Sequence, residues 1–258
     1  MYMTARAGHI GCSLSCAEIL VFLKFAWMEK DDALILSKGH AAAALYAVLA
    51  EEGVLSEEEI GSFYKNGTLL PAHPPVNRIP GIPFATGSLG HGLSLSAGMA
   101  LGSRMKGEAR RFFCVTSDGE LDEGSVWEAA LFIAHRKLSH VIWLIDRNRI
   151  QGIGRTEDVL ALEPLDAKLS AFGFHVVRAD GHDFRSLAAA RDECTRLLAG
   201  ESRPAAIICS TIKGHGISFM QDTVDSHYLP MTDAQYQQAL GALKAEHEGL
   251  LKRGAHAG

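Results

Sequence analysis

The chain has 258 residues, of which 47% are hydrophobic and 21% charged, with a formal net charge of −5 at pH 7. This composition fits one large α/β domain, and the mildly negative charge without a basic stripe argues against a nucleic-acid partner. No segment approaches the roughly 20 continuous apolar residues that span a bilayer, and the first residues lack an apolar signal region. Because the five cysteines mostly stand in apolar contexts, we expect buried, reduced thiols in a cytoplasmic protein without membrane contacts.

Helical and strand patterns alternate along the chain. In order, we expect a helix over 13–30, a strand over 33–37, helices over 41–52 and from 56, and an extended proline-rich loop over 70–83. A glycine-rich turn and helix over 87–107 follow, then a strand over 112–115, a helix reaching 137 and a strand over 141–145. The remaining elements are helices over 165–172 and 186–199, strands over 175–178 and 205–209, and a helical tail over 232–258 that frays at 255–258.

The order of these elements indicates the fold class. Strands that alternate with helices predict an α/β fold, here a doubly wound, mostly parallel sheet with helices on both faces. Ser56 with Glu59 three residues later predicts a capping box, and Gly53 is a candidate C-cap of the preceding helix. We expect residues 1–258 to form a single domain whose last part, 232–258, is the helical tail.

Polar residues follow two strands of the predicted sheet. Asp118 and Gly119 come after the strand 112–115, and Asn148 comes after the strand 141–145. In a parallel sheet both strand ends lie at the same carboxyl edge, where doubly wound folds bind ligands. A carboxylate and an amide oxygen suit Mg²⁺, and Gly119 before a helix lets a phosphate approach the backbone. A helix N-cap for Asp118 and a turn position for Asn148 are the alternative interpretations.

An Asp-Gly pair at a strand end, with Asn about thirty residues later, resembles the thiamine diphosphate motif. The surrounding sequence resembles the transketolase branch of that superfamily over residues 6–230. The matching segments, all in family order, are Arg6-Ala7-Gly8-His9, Leu36-Ser37-Lys38-Gly39-His40, Thr86-Gly87-Ser88-Leu89-Gly90-His91-Gly92, Asp118-Gly119-Glu120, Glu123-Gly124, Val126-Trp127-Glu128-Ala129-Ala130, Asn148, Arg155-Thr156-Glu157-Asp158, and Thr211-Ile212-Lys213-Gly214-His215-Gly216 with His227.

The resemblance implies a site for thiamine diphosphate and Mg²⁺. Asp118, Asn148 and the backbone carbonyl of Ile150 would ligate the metal, and Gly119 and Asn148 would also lie against the cofactor. Glu123 would orient a metal ligand or a diphosphate-bound group. An ordinary glutamate in the first turn of a helix is the competing interpretation of Glu123.

Further residues match family positions around the cofactor. His40 would lie beside the diphosphate, and His227 would touch both diphosphate and substrate. Gly87, Ser88 and Leu89 match a Gly-Pro-Leu segment whose backbone contacts the aminopyrimidine and whose Leu packs on that ring. A plain strand-to-helix turn is the alternative for these three residues.

The resemblance also assigns the catalytic histidines. His9 and His73 match positions that face the sugar donor, and His227 is the third expected catalytic residue. His91 stands near the aminopyrimidine, where the family commonly has Gln. His182, in an Asp-Gly-His-Asp sequence, is expected to be structural.

The implied activity is transfer of a two-carbon ketol unit between sugars or sugar phosphates. In the superfamily, the glutamate that activates the cofactor comes from a second, pyrimidine-binding domain, and this chain resembles only the first domain. We therefore expect the N-terminal subunit of a split transketolase, active only with a partner that carries the pyrimidine-binding domain, in a heterotetramer. A 2-oxo acid decarboxylating component and a non-catalytic scaffold relative are the alternatives.

Three residues depart from the family pattern. Ser117 and Arg149 stand where the family usually has Gly, and Gly152 stands where an apolar residue commonly supports the cofactor. None of these departures removes a predicted ligand of the metal or the diphosphate. They leave the donor and acceptor sugars open and are compatible with a specialised biosynthetic pathway.

Overall fold

The computed structural model describes residues 1–76, 78–200 and 203–254, so the tail end at 255–258, which we expected to fray, lies outside the described residues. Within these residues the strands form one sheet: β1 Ala33–Leu36, β2 Phe112–Ser117, β3 Val141–Arg147, β4 His175–Asp180 and β5 Ala205–Ser210. Their order is β1-β2-β3-β5-β4, and every neighbouring pair is parallel. Parallel neighbours require crossover connections, which the helices provide.

Helices connect the strands and cover the sheet. In chain order they are α1 Tyr2–Ala5, α2 Ile10–Ser15, α3 Ala17–Phe22, α4 Ala42–Glu51, α5 Glu57–Gly61, α6 His91–Met105, α7 Gly124–His135, α8 Thr156–Val159, α9 Leu165–Ala171, α10 Phe184–Gly200, α11 Asp225–Tyr228 and α12 Asp233–Gly254. Two 3₁₀ turns, Gly39–Ala41 and Gly119–Asp122, each lie between a strand and the following helix.

Both faces of the sheet are buried. Along β1, Leu34 and Leu36 point into one core, whereas Ala33 and Ile35 point into the other. Helices α2, α3, α4 and α10 pack on the first face, and α6, α7 and α9 pack on the second. Burial on both faces explains why these strands are continuous apolar runs. The predicted doubly wound α/β fold is confirmed.

The single helix that we predicted over 13–30 is wrong. Helix α2 starts earlier, at Ile10, and the backbone leaves helical geometry at Cys16, where φ is −117°. The carbonyl oxygen of Cys12 accepts from Lys38 Nζ at 2.9 Å, and such side-chain competition for helix carbonyls bends or breaks helices. The segment then ends in a π-helical turn, Leu23–Trp27.

Most other elements lie where the sequence places them. Ser56 and Glu59 form the expected capping box, and Gly53 has a φ of 76° directly after α4. The four-residue helices α1, α8 and α11 were missed, since such short segments carry no readable periodicity. Among the described residues, no helix combines the length and apolar character needed to cross a membrane.

Candidate active site

The ends of β2 and β3 bring the predicted metal ligands together. Ser117 and Asp146 are paired in the parallel register, and the Asp118 N–H donates to the carbonyl oxygen of Asp146 at 3.1 Å. Asn148 follows β3 directly, and the next backbone N–H, of Arg149, donates to Asp118 Oδ2 at 2.6 Å. Arg149 has a φ of 67°, the left-handed conformation that suits the glycine usual at this position of the family.

The Asp118 carboxylate is buried and strongly oriented. Its Oδ2 accepts hydrogen bonds from Arg147 Nη1 at 2.9 Å and from Thr156 Oγ1 at 3.2 Å, besides the Arg149 N–H. Its Oδ1 accepts only from the Gly119 N–H, at 2.8 Å, within the described residues. Burial raises the pKa of Asp118 and the nearby Asp146 carboxylate adds to this, while Arg147 opposes it.

Asn148 and Ile150 complete a set of oxygen atoms. Asn148 Oδ1 accepts from the Ile150 N–H at 3.1 Å, which fixes the orientation of the amide group. The Ile150 carbonyl oxygen accepts from Lys213 Nζ at 3.0 Å. A carbonyl oxygen has two lone pairs, so it has capacity for a second partner. Carboxylate, amide and carbonyl oxygens are the hard ligands that Mg²⁺ takes.

These groups line a cleft of about 250 Å³ at the carboxyl edge of the sheet. Gly119 lies on its floor, where an added Cβ would stand 2.8 Å from Cγ of Gln151. The lining residues are Cys12, His40, Leu89, Ser117, Asp118, Gly119, Asn148, Ile150, Gln151, Gly152, Ile153, Lys213, His227 and Tyr228.

Four histidines predicted from separate segments cluster together, and two of them, His40 and His227, line the cleft. The ring of His9 lies 5.0 Å from that of His227, 5.5 Å from His40 and 6.5 Å from His73, measured between centroids. The rings of His40 and His227 are 5.6 Å apart. His9 has a φ of 71° and donates its backbone N–H to the carbonyl oxygen of His227 at 2.8 Å. Strained backbone at a polar cleft is typical of functional sites.

The histidines of this cluster are held neutral. Burial lowers the pKa of His9 and of His73, and it lowers that of His40 well below the ordinary value. Burial, followed by the positive charge of Lys213, lowers the pKa of His227 to about 3. Neutral imidazoles both donate and accept hydrogen bonds, which suits ligands rich in hydroxyl groups.

Lys213 is a site residue to which the sequence analysis gave no role. Its buried Nζ donates to the carbonyl oxygens of Ile150 and Gln151 at 3.0 and 3.3 Å, and lies 2.6 Å from Nδ1 of His227. Burial lowers the pKa of the Lys213 ammonium. The sequence does indicate its position, since Lys213 follows β5 in the matched segment 211–216, at the same sheet edge as Asp118.

The predicted residues of the segment 87–91 divide between two places. Leu89 lines the cleft, and Gly87 lies against His73, where an added Cβ would stand 2.8 Å from Cδ2 of the ring. Ser88 and His91 instead line a neighbouring pocket of about 400 Å³. Glu123 is exposed at the N-cap of α7 and is not part of the cleft lining, so the structure does not bring it to the metal ligands.

His182 makes the contacts of a structural residue. Its Nε2 accepts from the Ile212 N–H at 2.9 Å, so the proton sits on Nδ1, which lies 3.1 Å from Oε2 of Glu18. Its ring stacks on His215 at 3.6 Å. Glu18, His182 and His215 lie close enough to share a metal ion, but this tautomer of His182 offers no lone pair to one.

Comparison with known proteins agrees with this geometry. Residues 3–248 match the family model described as transketolase, thiamine diphosphate binding domain. The chain belongs to the transketolase family. The resemblance stated from the motifs is therefore confirmed, and the thiamine diphosphate-binding domain is the part of a transketolase that this chain represents.

Individual transketolases show how much of the protein is matched. The chain is 39% identical to the 6-deoxy-6-sulfo-D-fructose transketolase subunit SqwG of Clostridium sp., over 93% of this chain and 89% of that protein. It is 37% identical to one of the subunits of apulose-4-phosphate transketolase from Actinobacillus succinogenes, over 93% of this chain and 88% of that protein. A transketolase structure from Pichia stipitis superposes with a TM-score of 0.83 at 28% identity, covering 92% of this chain but 38% of that one.

The observed residues fit the cofactor of this family. Asp118, Asn148 and Ile150, which carry the three hard oxygen ligands predicted for a divalent cation, line one cleft, and the charge of the Lys213 ammonium beside Ile150 suits a diphosphate. Gly119 follows Asp118 in the cleft lining, and the absence of a side chain there leaves room for the Gln151 side chain, which packs against it. The individual metal and cofactor contacts stay predictions.

Proposed function

We propose that this chain is the diphosphate-binding, N-terminal-type subunit of a split transketolase, a transferase that moves two-carbon ketol units between sugars or sugar phosphates. It binds thiamine diphosphate and Mg²⁺ in the cleft and works together with a partner that carries the pyrimidine-binding domain. The proposed assembly is a cytoplasmic heterotetramer. The observation that carries this proposal is the convergence of Asp118, Asn148 and Lys213 with a cluster of neutral histidines at one sheet edge.

In this proposal Asp118, Asn148 and the Ile150 carbonyl would hold Mg²⁺, which would supply positive charge for the diphosphate. The Lys213 ammonium would attract the diphosphate through its positive charge, and the neutral ring of His40 would donate a hydrogen bond to a diphosphate oxygen. Thiamine diphosphate, when bound, supplies the nucleophilic carbon and the electron sink for cleaving the bond beside a ketose carbonyl.

His9, His73 and His227 act on the sugar. Their rings are neutral, and those of His73 and His227 lie within 6.5 Å of the ring of His9, so they offer both donors and acceptors to substrate hydroxyls. Cleavage of a ketose requires a proton to leave one hydroxyl group, and the lone pair of a neutral imidazole would accept it. Glu123 keeps its predicted role only if a partner chain or bound ligand covers its exposed side chain.

The proposal of a partner rests on the names of relatives. The chain spans 88–89% of two proteins named as transketolase subunits, and 38–40% of the transketolases of Pichia stipitis and Homo sapiens that it matches. In this proposal the pyrimidine-binding domain comes from another polypeptide. Since these two relatives are named for uncommon sugars, we propose a specialised sugar as substrate of this chain as well.

The other two interpretations are less well supported. A 2-oxo acid decarboxylating component is not favoured, because the relatives and superposed structures are transketolases. A non-catalytic relative has no reason to keep the buried, oriented carboxylate of Asp118 in a cleft lining, because burying a charge lowers stability.

Affinity purification of the tagged chain from its native cells, with mass spectrometry of what co-purifies, identifies the partner. The purified complex is then assayed with a panel of ketose donors and aldose acceptors, with and without thiamine diphosphate and Mg²⁺. We expect ketol transfer that requires both chains, the cofactor and the metal. A stoichiometric complex that binds thiamine diphosphate but transfers nothing from any ketose contradicts the proposal.

A further inference from the structure

Gly152 and Tyr228 share one space in the wall of the cleft. A Cβ added to Gly152 would lie 2.8 Å from Cζ of Tyr228 and closer still to the phenol oxygen. The tyrosine ring therefore occupies the volume that any side chain at position 152 would take. Both residues line the cleft, together with Lys213 and His227.

The backbone holds Tyr228 in this position. A Cβ at Gly8 would lie 2.7 Å from the carbonyl carbon of Tyr228, so the glycine permits a close approach between the two segments. The His9 N–H donates to the carbonyl oxygen of His227 at 2.8 Å, which ties the short helix α11 to the start of α2. Tyr228 is therefore positioned through the backbone on either side of its Cα.

The phenol group faces the cluster of neutral histidines. The Tyr228 ring lies 4.4 Å from the ring of His227 and 5.8 Å from that of His9. The residue is 55% exposed, and its hydroxyl has no hydrogen-bond partner within residues 1–76, 78–200 and 203–254. A hydroxyl at a cleft wall, without an internal partner, is available to a bound ligand.

We propose that Tyr228 is a substrate-positioning residue: its ring replaces a side chain at position 152 as the cleft wall, and its hydroxyl hydrogen-bonds a hydroxyl group of the ketose. This inference rests on the proposed ketol transfer and assigns to it a residue that the motifs did not identify. It also explains why glycine is present at position 152, where the family commonly has an apolar side chain.

The test uses the complex of this chain with its co-purified partner and the ketose that the wild type turns over best. The variants are Tyr228→Phe, Gly152→Ala and the double variant. Gly154→Ala is the matched control in the same loop, since its added Cβ meets only Cγ2 of Val159, at 3.6 Å. KM and kcat for the ketose and KM for thiamine diphosphate are measured for each.

Loss of one neutral hydrogen bond is expected to raise the ketose KM about 5- to 10-fold in Tyr228→Phe, with KM for thiamine diphosphate unchanged within about twofold. Gly152→Ala displaces the phenol and should give the same rise in the ketose KM, and in the double variant this KM should be no higher than in either single variant. Gly154→Ala should behave as wild type.

Two results overturn the inference while leaving ketol transfer intact. An unchanged ketose KM in Tyr228→Phe shows that the hydroxyl does not contact the ketose. A ketose KM in the double variant that rises by the product of the two single increases shows that position 152 does not act through Tyr228. A wild-type complex that transfers no ketol unit overturns the proposed function, and this inference with it.

Discussion

Arg147 donates from Nη1 to Oδ2 of Asp118 across 2.9 Å, and both side chains are almost fully buried. The second terminal nitrogen of the guanidinium reaches Glu157 and Glu163, so Arg147 is anchored on its far side. This pairing directs one carboxylate oxygen of Asp118 away from the cleft and leaves Oδ1 beside Gly119. Arg147 therefore sets the orientation of the predicted metal ligand without lining the cleft itself.

Replacing Arg147 by Gln should weaken Mg²⁺ binding about 10- to 100-fold, the usual effect of removing a group that orients a metal ligand. The measurement is titration of Mg²⁺ into the complex at saturating thiamine diphosphate. Arg178→Gln, which breaks an exposed pair with Asp166, is the control and should bind Mg²⁺ as the wild type does. Equal affinities in both variants contradict the orienting role.

Lys213→Met should lower the affinity for thiamine diphosphate about 10- to 100-fold, since it removes a buried positive charge beside the proposed diphosphate site. Calorimetric titration with thiamine diphosphate and with thiamine separates the diphosphate from the rest of the cofactor. The affinity for thiamine should stay as in the wild type. If both ligands lose affinity equally, Lys213 supports the cleft as a whole and does not select the diphosphate.

Breaking the buried ion pair between Lys38 and Asp146 should lower the free energy of unfolding. Both side chains are fully buried, and Ser15 and Thr211 also donate to the carboxylate. Although burial acts to raise it, the Lys38 ammonium keeps the pKa of Asp146 below its ordinary value. Lys38→Met leaves this carboxylate unpaired, which should lower the free energy of unfolding by about 3–5 kcal/mol.

Urea denaturation measures this change. Lys65→Met, at an exposed lysine, is the control and should stay within about 0.5 kcal/mol of the wild type. A Lys38→Met variant as stable as that control would show that the paired donors from Ser15 and Thr211 suffice.

The histidine cluster should make the fold sensitive to acid. The pKa values of His9, His40, His73 and His227 are below the ordinary 6.5 in the folded chain, so the unfolded chain binds more protons below that pH. Their contribution to stability is thus complete above pH 6.5. It is lost as the pH falls toward the folded values, about 3 for His227.

The free energy of unfolding, measured by urea between pH 8 and pH 5, should fall on the acid side of pH 6.5. His227→Gln should reduce this slope, because one group that differs between the folded and unfolded states is gone. His247→Gln, at an exposed position of α12, should leave the slope unchanged. A slope that is the same in both variants contradicts the assignment to the cluster.

The positions of the strands could be predicted from the sequence, but their order in the sheet could not. Apolar runs located all five described strands and placed Asp118 and Asn148 just beyond two of them, because buried parallel strands have a clear composition. The order β1-β2-β3-β5-β4, with β5 between β3 and β4, could not be derived, since periodicity carries no information on strand pairing. The break at Cys16 depends on side-chain hydrogen bonds that no periodicity shows.

The histidine cluster came from the family resemblance and not from spacing. Its members stand on four separate segments of the chain. Only the folded chain shows that the rings of His40, His73 and His227 lie within 6.5 Å of the ring of His9. The sequence places Lys213 after a predicted strand, at the same sheet edge as Asp118, but it gives no such position for Tyr228. For neither residue does the sequence indicate the direction of the side chain. Both are recognised only from the atoms that they contact.

Our central proposal is that Asp118 holds the metal ion on which thiamine diphosphate binding depends. Its most direct test is calorimetric titration of thiamine diphosphate into the purified complex, in Mg²⁺ and in a chelator, for the wild type, Asp118→Asn and Asp158→Asn. Asp158 is an exposed carboxylate of α8. We predict Mg²⁺-dependent binding in the wild type and in Asp158→Asn, and loss of that binding in Asp118→Asn. Unchanged, Mg²⁺-dependent binding in Asp118→Asn would contradict the account.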